Sequence, residues 1–173
     1  MGATGPAWGY GAGMGATGGQ RARAGGYSAG VGWAGAISLP DGTPVRGRGR
    51  RQPVPPGPLP EYGLCLGRPG RRGGPDWPAD WIDWPDFRVP RDDAAAIELI
   101  KKAYRLAREG TRVEVSCGGG TGRTGTAIAC LAVLAGHPAD DAVAWTREHY
   151  RPRAVETRGQ RRWILRFAEA VDG

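Results

Sequence analysis

Apolar residues in the downstream half of the chain recur with the two spacings that fix secondary structure, 3.6 for helices and 2 for strands. Ala96, Ile97, Ile100, Ala103, Tyr104 and Ala107 keep i, i+3, i+4, i+7 spacing behind Asp92 and Asp93, with Gly110 beyond them. This predicts a capped amphipathic helix with one face on a sheet. Thr111 to Ser116 is β-branched and alternating, a strand that runs straight into Cys117-Gly-Gly-Gly-Thr-Gly-Arg-Thr-Gly125. Ala127 to Ala135 is apolar on every side, which predicts a helix buried in the centre of the domain and closed by Gly136 and Pro138. Two more helical patterns, about residues 139–150 and 157–171, add Val143, Trp145, Trp163, Ile164, Phe167 and Val171 to the expected core. Together these elements predict an α/β arrangement.

Upstream the pattern is weaker. Val31 to Leu39 is a β-compatible run stopped by the turn signal Pro40-Asp41-Gly42. Arg46 to Arg51, a Gly-interrupted basic stretch, reads as a solvated loop. Pro53, Pro55, Pro56, Pro58 and Pro60 keep the next segment extended, and Tyr62 to Leu66 is a short strand. Trp81-Ile82-Asp83-Trp84 alternates as a half-buried strand should, ended by Pro85.

Composition separates the two halves. The first 75 residues hold 22 of the 31 glycines and 10 of the 15 prolines, so the core must lie mostly downstream. Residues 1–30 are expected to be a Gly-rich flexible tail, with the folded domain over 31–173. The net charge of +7 also belongs to the first 75 residues, where nine Arg face only Asp41 and Glu61. An arginine-rich nucleic-acid-binding protein using residues 21–51 has composition alone behind it, so nucleic acid is not the expected partner. Cys65, Cys117 and Cys130 lack metal-ligand spacing with His137 and His149, which argues against a zinc site or a disulfide framework. The chain has neither a signal-like apolar segment behind a basic start nor a membrane-length apolar run, and the expectation is a cytoplasmic protein without a membrane partner.

The chemistry lies where a strand, a glycine-rich turn and a helix follow one another, an arrangement that points backbone N–H groups at an anion. A nucleotide P-loop would need Gly where Cys117 stands and Lys where Arg123 stands. Gly120-x-Gly122-x-x-Gly125 satisfies the dinucleotide fingerprint, but after Gly136 the chain turns into further helix instead of the second parallel strand that fold needs. The third reading is C-x5-R-T: Cys117 and Arg123 separated by five residues and followed by Thr124.

That motif resembles the protein-tyrosine phosphatases and their dual-specificity relatives. Trp84-Pro85-Asp86 matches the family's general-acid loop, 31 positions before Cys117, and Glu156-Thr157-x-x-Gln160 resembles its water-positioning segment. The resemblance runs from about Trp77 to Phe167. It implies a compact cysteine-phosphatase α/β fold, a central sheet flanked by helices, with the phosphate loop between a strand and a buried helix. It further implies Cys117 as nucleophile, Arg123 and the loop residues Gly118, Gly119, Gly120, Thr121 and Gly122 as the phosphate cradle, and Asp86 as general acid. Gln160 would place the attacking water and Thr124 would stabilise the departing thiolate.

The residue types fit that chemistry. A phosphate monoester is anionic, so its transition state calls for oriented donors and a permanent cation. Arg123 can hold two phosphate oxygens, and a helix N-terminus beside a cation favours a thiolate. Asp80 and Asp83 do not complete the acid motif. Cys130 is expected in the core, and Cys65 is expected to pack, with a redox partnership to Cys117 as its other reading. The family usually has His directly before the cysteine, where this chain has Ser116. The resulting expectation is a phosphatase for phosphotyrosine in proteins or peptides, with phosphoserine and phosphothreonine as further substrates, using a cysteinyl-phosphate intermediate and no metal or organic cofactor. The alternative is a non-catalytic phosphopeptide-binding module of the same fold.

Overall fold

The computed structural model describes residues 32–70 and 74–173; the tail expected at 1–30 lies outside them. The elements run β1 (Ala36–Ser38), β2 (Pro44–Gly49), β3 (Tyr62–Leu66), β4 (Ala79–Ile82), α1 (Asp93–Arg108), β5 (Val113–Cys117), α2 (Gly122–Leu134), α3 (Ala142–His149) and α4 (Arg158–Asp172). The strands form one sheet in the order β1-β2-β5-β3-β4, with β1 antiparallel to β2 and the remaining pairs parallel. β5 is therefore the central strand, and its C-terminal end delivers Cys117.

Register sorts the two faces of the sheet. Val45, Leu64, Leu66, Val113 and Val115 join Ile100 and Ala103 of α1, Leu131 of α2 and Trp163, Ile164 and Phe167 of α4 in one buried core. α2 is enclosed along almost its whole length, as its all-round apolar sequence predicts. Asp92 caps α1 by accepting from Ala95 N at 3.0 Å. Thr157 and Gln160 form a reciprocal capping box at the start of α4.

The largest departure from the sequence pattern is the basic stretch. Arg46 to Gly49 is not a solvated loop but the body of β2, paired directly with β5 through Arg46↔Glu114 and Gly49↔Cys117. Periodicity misses it because its core-facing positions are glycines. A Cβ at Gly47 would lie 2.5 Å from the Tyr150 ring, and one at Gly49 would lie 2.7 Å from Gly119 O. On the opposite face Arg46 and Arg48 converge on Glu114: Arg46 Nη2 is 2.6 Å from Oε2 and Arg48 Nη2 is 2.9 Å from Oε1. The Trp33 ring covers the Arg46 guanidinium at 5.0 Å. Arginine stems fill the volume a β-branched residue would otherwise take, and shared hydrogen bonds offset the burial of their charge.

Smaller differences follow local chemistry. The run at 31–39 narrows to Ala36–Ser38, and the strand expected at Trp81–Trp84 is Ala79–Ile82, moved upstream. It stops early because Trp84 turns inward and donates from Nε1 to Arg88 O at 2.7 Å. α3 begins at Ala142, three residues later than the pattern suggests. Among the described residues, no helix is long and apolar enough to cross a membrane.

Glu114→Ala is expected to destabilise the fold by about 3–5 kcal/mol, because it strands two guanidinium groups behind the sheet. Urea denaturation of the variant measures this, and a change under about 1 kcal/mol would mean that water already compensates the arginines.

Candidate active site

β5 ends at Cys117, and the chain turns through Gly118 to Thr121 before α2 begins at Gly122. Gly120 has φ +72, and a Cβ there would sit 2.3 Å from Gly49 N, so both backbone conformation and the neighbouring strand demand glycine. Gly120 N donates to Cys117 Sγ at 3.1 Å, which puts the sulfur inside the turn.

The carbonyls of the turn are held outward one after another. Cys117 O accepts from Arg50 N at 2.8 Å and Gly118 O from Arg51 N at 3.3 Å, both at the end of β2. Gly119 O accepts from Arg151 Nη1 at 2.9 Å, and Gly120 O from the Tyr150 hydroxyl. Thr121 O accepts from Gly125 N and Gly122 O from Thr126 Oγ1. With its acceptors fixed this way, the turn can present N–H groups to its interior, the arrangement that binds an anion.

Arg123, in the first turn of α2, is buried. Its Nη1 donates to Trp84 O at 3.0 Å and its Nη2 lies 3.0 Å from Asp86 Oδ1. Arg123 Nε and Thr124 Oγ1 are buried without a hydrogen-bond partner among the described residues. Unsatisfied donors beneath an anion cradle are chemically suited to an incoming oxyanion and to the cysteine sulfur.

Asp86 sits on the loop between β4 and α1, with its side chain 58% exposed. Trp84 moors that loop: its indole packs edge-on against Trp163 of α4 with centroids 5.1 Å apart. Phe87, next to Asp86, has φ 58 and is 57% exposed, an uncommon backbone state for a bulky residue. Asp80 and Asp83 have other partners: Asp80 accepts from Lys102 and Tyr62, and Asp83 pairs with Arg91.

Gln160 is fully buried. Its Oε1 accepts from Glu156 N at 2.8 Å, and its Nε2 contacts Arg88 O at 3.4 Å on the Asp86 loop. A Cβ at Gly122 would lie 3.3 Å from that Nε2 and closer still to Glu156 Oε2, so both side chains border the start of α2. Arg147 fixes the approach to this segment through the carbonyls of Ala154 and Val155. The fold thus gathers Cys117, the turn, Arg123, Asp86 and Gln160 from three separate stretches of chain.

Residues without a sequence-level role also belong here. Arg50 donates to Ser116 O at 2.8 Å and stacks over Trp81 at 4.9 Å. Burial lowers the Arg50 guanidinium from its ordinary value, with Arg123 and Arg48 acting the same way and Cys65 and Cys117 opposing. Burial raises the Tyr150 phenol well above its ordinary value, with Arg151 opposing and Cys117 and Glu114 reinforcing, so it remains a donor. The R-G-R-G alternation was the available signal for Arg50 and Arg51; Tyr150 and Arg151 had none. Ser116 faces Cys65 across the β5–β3 pair with Oγ 3.8 Å from Sγ, and burial raises the Cys65 thiol. Burial alone pushes the Cys130 thiol far up. Among the described residues, no group of His, Cys, Asp and Glu is arranged to hold a metal ion.

Comparison with known proteins shows what the chain is similar to in sequence and in fold. Residues 85–164 match the family model described as a Swiss Army Knife protein, DSP-PTPase phosphatase domain. Protein tyrosine phosphatase domain-containing protein 1 of Mus musculus is 36% identical over 87 residues, 50% of this chain but 11% of that protein. An uncharacterized protein of Methanocaldococcus jannaschii is 34% identical over 92 residues, 52% of this chain and 55% of its own length. The chain therefore spans only part of these curated relatives. The crystal structure of Tk-PTP in the active form superposes with a TM-score of 0.62 at 21% identity, covering 79% of this chain and 98% of that one. The shared fold is that of the DSP-PTPases, a central sheet flanked by helices.

Tyr150→Phe and Arg151→Ala each free one carbonyl of the turn. Either variant is expected to weaken vanadate binding roughly three- to tenfold, the value of one hydrogen bond, while melting temperature moves little. Unchanged vanadate affinity in the double variant would show that the turn holds its shape without these two side chains.

Proposed function

We propose that the chain is a protein phosphatase that hydrolyses phosphotyrosine, and by the same chemistry phosphoserine and phosphothreonine, through a cysteinyl-phosphate intermediate. The observation that carries this reading is the convergence on one turn of the Cys117 sulfur, accepting from Gly120 N, and the Arg123 guanidinium, paired with Asp86.

In this reading the turn amides and Arg123 bind the three terminal oxygens of the phosphate and follow their charge into the transition state. The Cys117 thiolate attacks phosphorus as the ester P–O bond breaks, and the Asp86 carboxyl gives its proton to the leaving oxygen. A water then forms the new P–O bond, the S–P bond breaks, and Asp86 takes the water's proton. Gln160 orients that water, and Thr124 Oγ1 supplies a hydrogen bond to the departing thiolate. The Asp86–Arg123 pair in the free enzyme means that an arriving phosphate takes over the guanidinium from a carboxylate. Released from the cation, the Asp86 carboxylate takes up a proton from solvent or from the substrate monoanion, and that is the proton it passes to the leaving oxygen.

Hydrolysis of an aryl phosphate without added metal, blocked by vanadate, is the first expected result. Cys117→Ser is expected to remove turnover by about three orders of magnitude or more while phosphopeptide binding persists, since the cradle is intact. Asp86→Ala is expected to lower kcat about a hundredfold for phenyl phosphate and much less for p-nitrophenyl phosphate, whose leaving group hardly needs a proton. Equal losses for both esters would remove Asp86 as the acid. Phosphopeptide binding with no turnover in the wild type would instead make the chain a binding module.

A further inference from the structure

The turn from Cys117 to Arg123 has no basic side chain except Arg123 itself, yet the space above it is crowded with cations supplied from β2. A Cβ at Gly118 would lie 3.5 Å from Arg51 Nη2 and 3.6 Å from Arg123 Nη2, so two guanidinium groups reach the same glycine. A Cβ at Gly67 would lie 3.1 Å from Arg50 Nη2 and 3.4 Å from Arg123 Nη1, which adds a third.

These three arginines differ in what already holds them. Arg50 is engaged with Ser116 O and Trp81, and Arg123 with Trp84 O and Asp86. The Arg51 side chain is exposed, and among the described residues it has neither an ion pair nor a hydrogen bond. Its backbone is nevertheless fixed, because Arg51 N donates to Gly118 O. A guanidinium on a pinned backbone, beside a glycine that leaves it room, is poised for an anion that arrives with the substrate.

We propose that Arg51 is a second anion-binding residue of this site, and that the preferred substrates are phosphopeptides with an acidic group, carboxylate or second phosphate, next to the phosphorylated residue. The proposal rests on the phosphatase reading and adds the substrate class to it. A peptide is favoured over a small polyphosphate because Phe87, the residue after Asp86, is an exposed apolar side chain that a polypeptide neighbour can cover.

The test compares a phosphotyrosine peptide with Asp on both sides and the same peptide with Asn, using wild type, Arg51→Ala and Arg51→Glu. The wild type is expected to prefer the Asp peptide about fivefold in kcat/KM, the whole difference lying in KM. Arg51→Ala should erase the preference and Arg51→Glu should reverse it, and about 0.5 M salt should shrink it in the wild type. An Asp/Asn ratio that is the same in wild type and Arg51→Ala overturns the proposal. If that ratio is insensitive to Arg51 while the variant loses discrimination between a small alkyl bisphosphate and its monophosphate, the peptide assignment is overturned. Should the wild type turn over neither peptide nor phenyl phosphate, the phosphatase reading fails separately. Anisotropy titrations of the two labelled peptides against the same variants then decide the role of Arg51 by the same ratio.

Discussion

The close backbone approach of β2 to the turn between β5 and α2 is the constraint on which the rest of the structure depends. Gly49 and Gly120 come so near that a Cβ on either would strike the other's backbone or its immediate neighbours. That contact lets the amides of Arg50 and Arg51 take the carbonyls of Cys117 and Gly118, and the turn then has its acceptors outside and its donors free to point inside. Electrostatic preorganisation of this kind is set before any substrate arrives, so none of its cost falls on the reaction itself.

The reverse side of the same strand solves a different problem. With glycines facing the helices, β2 contributes no apolar side chains there beyond Val45, and its side-chain hold on β5, added to the backbone pairing, comes from the Arg46–Glu114–Arg48 cluster. The cluster sits three residues upstream of Cys117 on β5, between the core and the covering Trp33. Close glycine packing on one face and a charge cluster on the other make β2 a strand that fits only one register.

Downstream, the sequence was legible because burial writes itself into periodicity: α1, β5 and α4 lie close to where spacing, caps and glycines put them, and α2 ends where its apolar run does but begins at Gly122, five residues ahead of it. The three motifs C-x5-R-T, W-P-D and E-T-x-x-Q fall on one site because each lies at an element boundary whose position those elements fix. Upstream, legibility failed for a physical reason. Hydrophobic alternation detects strands whose buried face is apolar, whereas β2 buries glycine on one side and paired arginine on the other. Tyr150 and Arg151 were unreadable for another reason, since their partners in the turn include the carbonyls of Gly120 and Gly119, groups that any residue carries.

Trp84 and Gln160 both tie the Asp86 loop to α4, one through the edge of the Trp163 ring and one through Arg88 O. The proposed proton donor and the proposed water-orienting amide are therefore mechanically linked rather than independently mobile. If the loop swings away, Arg88 O leaves Gln160 and the indole leaves its neighbour in the same movement. Under the proposed mechanism, commitment to bond cleavage and readiness for hydrolysis become a single conformational event, with α4 serving as the axle for both.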